Sequence, residues 1–203
     1  QAGRLLFTVD VGAHGDGRQA VAVPDHPFLE TVFEQGDLRQ NYALSYRKAD
    51  GYRDHSESTR YGFSGKWGWD MSEALTLNAS ARTYQADLEE PGYLTSDLAY
   101  SNPRATNAYN QSDLDERAMD QFSLGLDAKL NEQADLKTLV WMNQLDDDRF
   151  VKFSAATSQQ NRVSKEQHYG ASSTLGFSPQ VTLLQRLYLE LGASVEVQDN
   201  ESR

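Results

Sequence analysis

The sequence predicts an all-β chain, an open fragment of a transmembrane antiparallel up-and-down β-barrel, and three observations carry that prediction. Apolar residues recur at every second position over long stretches. The connections between those stretches alternate between short and long. Tryptophans gather at a strand end beside a short turn.

Composition alone argues the other way. Only 38% of the 203 residues are hydrophobic and the mean hydropathy is −0.68, so no run approaches the roughly 20 apolar residues of a membrane helix. Barrel strands escape that test, because their lipid-facing residues occupy alternate positions and average out against polar ones.

The alternation is clearest near the end of the chain. Leu187, Leu189, Leu191, Ala193, Val195 and Val197 share one face, against Tyr188, Glu190, Gly192, Ser194 and Glu196. At the beginning, Leu5, Phe7, Val9, Val11 and Ala13 oppose Thr8, Asp10 and Gly12. Phe122, Leu124, Leu126, Ala128 and Leu130 oppose Ser123, Gly125, Asp127 and Lys129, and Tyr169, Ala171, Ser173, Leu175 and Phe177 oppose Gly170, Ser172, Thr174 and Gly176. Such stripes run for about 9–11 residues, the length a tilted strand needs to cross a bilayer. Soluble strands average about 5–6 residues. In residues 60–70, Phe63, Gly65, Trp67 and Trp69 share a face, with both tryptophans beside a short turn, as an interfacial aromatic girdle requires.

Read in order, the pattern places about nine strands at 4–13, 17–23, 38–49, 58–70, 75–86, 117–131, 135–153, 162–178 and 187–198. The second is interrupted by Val23-Pro24-Asp25-His26-Pro27. In 135–153 two faces compete: Leu139 and Trp141 against Leu136, Val140 and Met142. Residues 71–74, 131–134 and 179–186 read as short turns, and 50–58, 87–115 and 146–162 as longer polar connections. Short turns at one end and long loops at the other is the outer-membrane arrangement. An odd number of strands cannot close, so residues 1–203 read as part of one barrel domain whose later strands lie elsewhere. The beginning at Gln1 and the end at Arg203 both look cut, and no signal peptide precedes the first strand.

Several chemistries are disfavoured. The chain has no Cys, hence no thiol nucleophile or Cys-based zinc site. A net charge of −11 argues against a nucleic-acid partner. His14, His26, His55 and His168 form no close ligand pair with Glu on one strand face, so no metal is expected. Asp146-Asp147-Asp148 lacks the spacing and Gly of a calcium loop and reads as a solvated loop tip. Asp10, Arg82, Lys129, Glu190 and Glu196 read as lumen-facing charges paired with one another or with a plug, rather than as acid/base pairs. The segment Gly12-Ala-His-Gly-Asp-Gly17 reads as a hairpin turn, because no helix pattern follows it.

One stretch resembles a known family. Tyr46-Arg47-Lys48-Ala49-Asp50-Gly51-Tyr52-Arg53-Asp54-His55-Ser56 is similar to the early barrel of TonB-dependent outer-membrane receptors, where a strand ends in a "dGyr-ns" element. Phe63 to Trp69, a short turn and Leu75 to Ala81 follow in that family's order. Pro91-Gly92-Tyr93-Leu94-Thr95 resembles the "PG-LT" start of its long third loop. The resemblance implies a barrel of about 22 strands, a plug domain absent from these residues, and energy supplied through the TonB complex. It implies an outer-membrane transporter of a Gram-negative bacterium, surrounded by outer-membrane lipid, which imports a ferric siderophore or similar scarce micronutrient. Neither an enzyme activity nor a cofactor is expected.

For ligand capture the expected residues are Tyr84, Tyr93, Tyr100, Tyr109, Arg53 and Arg104. They combine aromatic surface with cationic donors suited to catecholate, hydroxamate or carboxylate groups. Rival readings are a passive outer-membrane porin, an outer-membrane protease or lipase, and a soluble β-sandwich that binds glycans. The enzyme reading lacks a Ser/His or Asp/His constellation.

Overall fold

The computed structural model describes residues 28–179 and 187–203. They form one antiparallel sheet in which eight strands are hydrogen-bonded strictly in chain order. The strands are β1 (Phe28–Gln35), β2 (Leu38–Ala49), β3 (Ser58–Ser72), β4 (Leu75–Glu89), β5 (Leu114–Asn131), β6 (Ala134–Val151), β7 (Gln160–Phe177) and β8 (Leu189–Ser202). A short helix, α1 (Ser96–Ser101), lies between β4 and β5. The expected strands at 4–13 and 17–23, with the hairpin turn between them, lie outside the described residues, as does most of the turn at 179–186.

Register carries one face unbroken across the sheet. Trp69 pairs with Leu38 and Leu77, Leu77 with Leu126, and Leu126 with Thr138. One row along, Phe122 pairs with Ala81 and Met142, Met142 with Tyr169, and Tyr169 with Val197. Because side chains alternate, these pairings place every apolar stripe on the same side. They also decide between the two candidate faces of β6. Leu136, Val140 and Met142 join the apolar side, while Leu139 and Trp141 join the polar one. Trp141 finds room there because its indole lies over Gly170, where a Cβ would collide with the ring.

A second layer is missing from the described residues. Their only buried apolar residues are Ala86 and Val151, whereas Leu191 is 76% exposed and Val195 62%. A sandwich would bury one such face in a core, so this single-layered sheet is the wall of a barrel whose apolar side meets lipid. The polar handles on that side are internally paired. Trp67 Nε1 donates to Tyr42 Oη at 2.8 Å, Tyr42 Oη donates to Gln40 at 2.6 Å, and the Thr138 and Ser173 hydroxyls bond at 3.1 Å. No helix is long and apolar enough to cross a membrane, which says nothing of strands.

Two-residue turns at 36–37, 73–74 and 132–133 close one end. At the other, the connections are residues 50–57, 90–113 and 152–159. These are shorter than the expected 50–58, 87–115 and 146–162, because the strands continue past the membrane. β5 holds 18 residues, about 60 Å of extended chain against a hydrocarbon layer of about 30 Å. Above that layer neither face of the sheet meets lipid. Asp120 and Glu116 continue the outward stripe of Phe122 to Leu130, so hydropathy no longer alternates although pairing continues. This corrects the reading of Asp146-Asp147-Asp148 as a loop tip. All three lie within β6, opposite Ala118, Arg117 and Glu116 of β5. The expected structureless stretch 87–115 likewise contains strand ends, α1 and a 3₁₀ turn, Ala108–Asn110.

If Leu126 and Leu191 face lipid near the midplane, Arg at either position should cost the full-length barrel about 2–4 kcal/mol. Denaturant unfolding of the bilayer-inserted protein measures this. A cost near zero would assign those side chains to the lumen.

Candidate functional site: a clasped loop over the barrel wall

At the long-loop end, residues 50–57, 90–113 and 152–159 lock together. Arg53 is the hub. Its Nη1 donates to Gly92 O at 2.5 Å, Nη2 to Pro91 O at 3.0 Å and Ala105 O at 2.8 Å, and Nε to Ala105 O at 3.1 Å. One planar fork thereby ties the start of the 90–113 loop and its returning segment at Ala105 to the β2–β3 connection, a geometry that a lysine ammonium cannot reproduce. The Ser56 hydroxyl accepts from Arg53 N at 3.0 Å and donates to Arg53 O at 2.5 Å. Asp54 N donates to Arg104 O at 2.7 Å, and the Thr106 hydroxyl donates to Asp54 O.

The residues that carry the family resemblance thus form a structural clasp. Gly92, in the Pro91-Gly92 element, takes a positive φ of 65° and lies so close to Asn110 that a Cβ there would collide with it. His55 stands where the family pattern has Asn and adopts a φ of 54°, the left-handed region Asn tolerates well. Its Nε2 donates to Asp113 O at 2.6 Å while Nδ1 faces Glu89 at 3.4 Å.

Asp113 is the second hub and is fully buried. Its carboxylate accepts from Asn110 Nδ2 at 2.8 Å, Lys152 N at 2.9 Å and Gln159 Nε2 at 3.0 Å. Beside it, Arg149 bonds Glu90 at 2.7 Å. Arg117 bonds Asp115 at 2.9 Å and Asp147 at 3.4 Å. Asp115 stands seven residues above the first membrane-facing aromatic of β5, Phe122, and so lies outside the spanning part. Burial first, and then its contact with Asp147, push its carboxyl up from 3.8 to about 6, against the opposing pull of Arg117. Hydropathy reading missed Asn110, Asp113, Asp115 and Asp147, because an acidic run at a strand end resembles a solvated loop. The available signal was the matching excess of Arg at 117 and 149.

The six expected ligand residues separate into two places. Arg53, Tyr93, Tyr100, Arg104 and Tyr109 all belong to the clasped loops. Tyr93 and Tyr100 are 86% and 90% exposed, and the Arg104 guanidinium stacks 5.2 Å from the Tyr52 ring centre. Arg53 spends its donors on loop carbonyls. Tyr84 lies apart, on the polar face of β4 opposite Gly62 and Met119.

A single-layered wall with an apolar outer stripe, short turns below and clasped loops above defines a transmembrane antiparallel β-barrel. Within that class its fold is that of TonB-dependent receptors, as comparison with solved structures shows. The unliganded ferric citrate transporter FecA matches with a TM-score of 0.69 at 12% identity, over 92% of this chain and 28% of that one. FpvA of P. aeruginosa, solved with a heterologous pyoverdine and iron, matches at 0.67 and 13% identity, over 86% and 26% of the two chains. The ferric-catecholate import receptor Fiu of E. coli K12 in its open form matches at 0.58 and 12%, over 84% and 32%. The chain therefore spans between 26% and 32% of these proteins' lengths. No family model and no curated protein sequence matches it.

Arg53→Ala should release the loop while the ladder stays intact. Amide exchange within residues 90–113 should accelerate at least tenfold, with β5 and β6 below Phe122 unchanged. The raised Asp115 carboxyl means that the folded clasp binds more protons than the unfolded chain between about pH 4 and 6, so its stability falls as pH rises through that window. Exchange protection of the loop should decline accordingly, and Asp115→Asn should flatten the profile.

Proposed function

We propose that this chain forms part of the barrel of a TonB-dependent transporter in the outer membrane of a Gram-negative bacterium. It imports a ferric siderophore or a similarly scarce micronutrient. The extracellular loops capture the ligand, and a plug domain remodelled by the TonB complex releases it to the periplasm. One observation favours this reading over a mere wall: the loop cluster is rigid at its base yet offers Tyr93 and Tyr100 almost wholly to solvent. Aromatic rings held on a fixed base suit stacking against a planar chelate at low entropic cost. Among the described residues the sheet has a single layer, which disfavours the glycan-binding sandwich. A passive porin shares the wall, and energy dependence separates the two.

Replacing Tyr93 and Tyr100 together with Ser should weaken chelate binding by the full-length protein about tenfold, without lowering its unfolding midpoint. Uptake of the bound chelate into cells should vanish when TonB is deleted. Undiminished uptake in the deletion strain would favour the porin.

A further inference from the structure

Two carboxylates at the top of the wall, Asp115 of β5 and Asp147 of β6, meet with no donor between them. The Arg117 guanidinium reaches Oδ2 of each, at 2.9 Å and 3.4 Å. Oδ1 of each is closed off from solvent and has no hydrogen-bond partner. The Asp115 side chain is only 6% exposed, so water does not serve its bare oxygen. Anionic carboxylates in contact repel, and a buried oxygen without a donor is costly to leave. One proton removes both penalties, because a neutral Asp115 donates to Asp147. The same burial and the same contact push the Asp115 carboxyl up to about 6.

Every charged group packed around the pair then has a place. Arg117 stands directly opposite Asp147, and Arg149 directly opposite Asp115. Arg149 nevertheless gives Nε and Nη2 to Glu90, at 2.8 Å and 2.7 Å. From β4, Leu88 faces Asp115; from β7, Ser164 faces Asp147 and Arg162 faces Arg149. Asp113 spends its carboxylate on Asn110, Lys152 and Gln159. With Asp115 neutral, the remaining charges balance in pairs, Arg117 with Asp147 and Arg149 with Glu90. Ionised, Asp115 adds a third carboxylate to two cations. Arg117 is already shared, so the cation left to draw on is Arg149 across the ladder. Glu90 opens the 90–113 loop, and its bond to Arg149 is that loop's one ion pair to β6 among the described residues.

We infer that Arg149 is a proton-controlled switch for the start of the 90–113 loop. With a proton between Asp115 and Asp147, Arg149 holds Glu90 and ties the loop to β6. Without it, Arg149 turns to Asp115 and releases Glu90, and the loop's start rests on the Arg53 fork and its backbone bonds. One cation changes hands between two carboxylates, so the ladder itself stays as it is. The tied state holds the proton more tightly than the released one. Tying is therefore favoured in acid and lost as pH rises through about 4 to 6. No ligand takes part, and the switch operates whichever solute the loop meets.

The test uses the full-length protein in lipid bilayers, spin-labelled at Ala99→Cys on α1 and Asn161→Cys on β7, both exposed positions. Distance measurement between the labels separates a narrow, tied population from a broad, released one. Without further substitution, the released-to-tied ratio should rise at least tenfold from about pH 4 to about pH 7 and level off above. In Asp115→Asn, whose amide cannot ionise, Arg149 stays with Glu90 and the ratio should keep its acid value throughout. Asp147→Asn, which breaks up the acid pair from the other side, should flatten the ratio as well. In Glu90→Gln the tie is weakened at every pH, so the ratio should already be high at about pH 4. A ratio independent of pH without further substitution overturns the inference. So does a wild-type pH slope in both Asp115→Asn and Asp147→Asn, or an unchanged acid ratio in Glu90→Gln.

Discussion

A strand that crosses hydrocarbon must find a partner for every backbone N–H and C=O within the sheet, since no water is there to accept them. That constraint produces the unbroken ladder from β1 to β8, in which each strand pairs only with its neighbours in sequence. The ladder in turn fixes side-chain parity. With a period of two, a slip of one residue in any pair would move a whole stripe to the wrong side. The pairings that join Trp69 to Leu77, Leu77 to Leu126, and Leu175 to Leu191 therefore form one lipid-facing surface. The lumen wall, its cations and its compensated ion pairs are what remains on the other side.

Parity also explains what the sequence could and could not disclose. Wherever one face meets lipid and the other meets water, hydropathy alternates, and β2 to β8 were readable to within a few residues. Their upper ends were not. At Leu114 to Arg117 and Asp146 to Val151 neither face lies against lipid, so the pattern fades while the hydrogen bonds persist. β6 was ambiguous for a different reason. Trp141 and Leu139 are large apolar residues on the polar side, and only the pairing of Trp141 with Gly170 shows why they are accommodated there. β1 lies just beyond Pro24 and Pro27 in the sequence, and the run Phe28–Gln35 shows no alternation of apolar and polar residues clear enough to announce a strand.

The candidate site was legible in its residue types more than in their roles. Tyr93, Tyr100 and Arg104 stand at the exposed loop surface, where aromatic and cationic composition alone would put them. Arg53 shows the limit of such reasoning. A loop arginine beside tyrosines looks like a ligand donor, yet four of its contacts go to the carbonyls of Pro91, Gly92 and Ala105. No hydropathy pattern records a partner 38 to 52 residues away. The same holds for Asp113, whose carboxylate joins two loops through Asn110, Lys152 and Gln159.

The loop end thus has two tiers of stability. Its base is held by the Arg53 fork and the buried Asp113 carboxylate, both attached to strands whose ladder continues into the membrane. Its tip, residues 93–104, carries α1 and the exposed tyrosines, with few ties to the wall. Local opening free energies in a folded protein range from near zero at such tips to the global value in paired strands. Tip and base of the loop cluster therefore differ in how readily they open, and that difference is imposed by where backbone pairing ends.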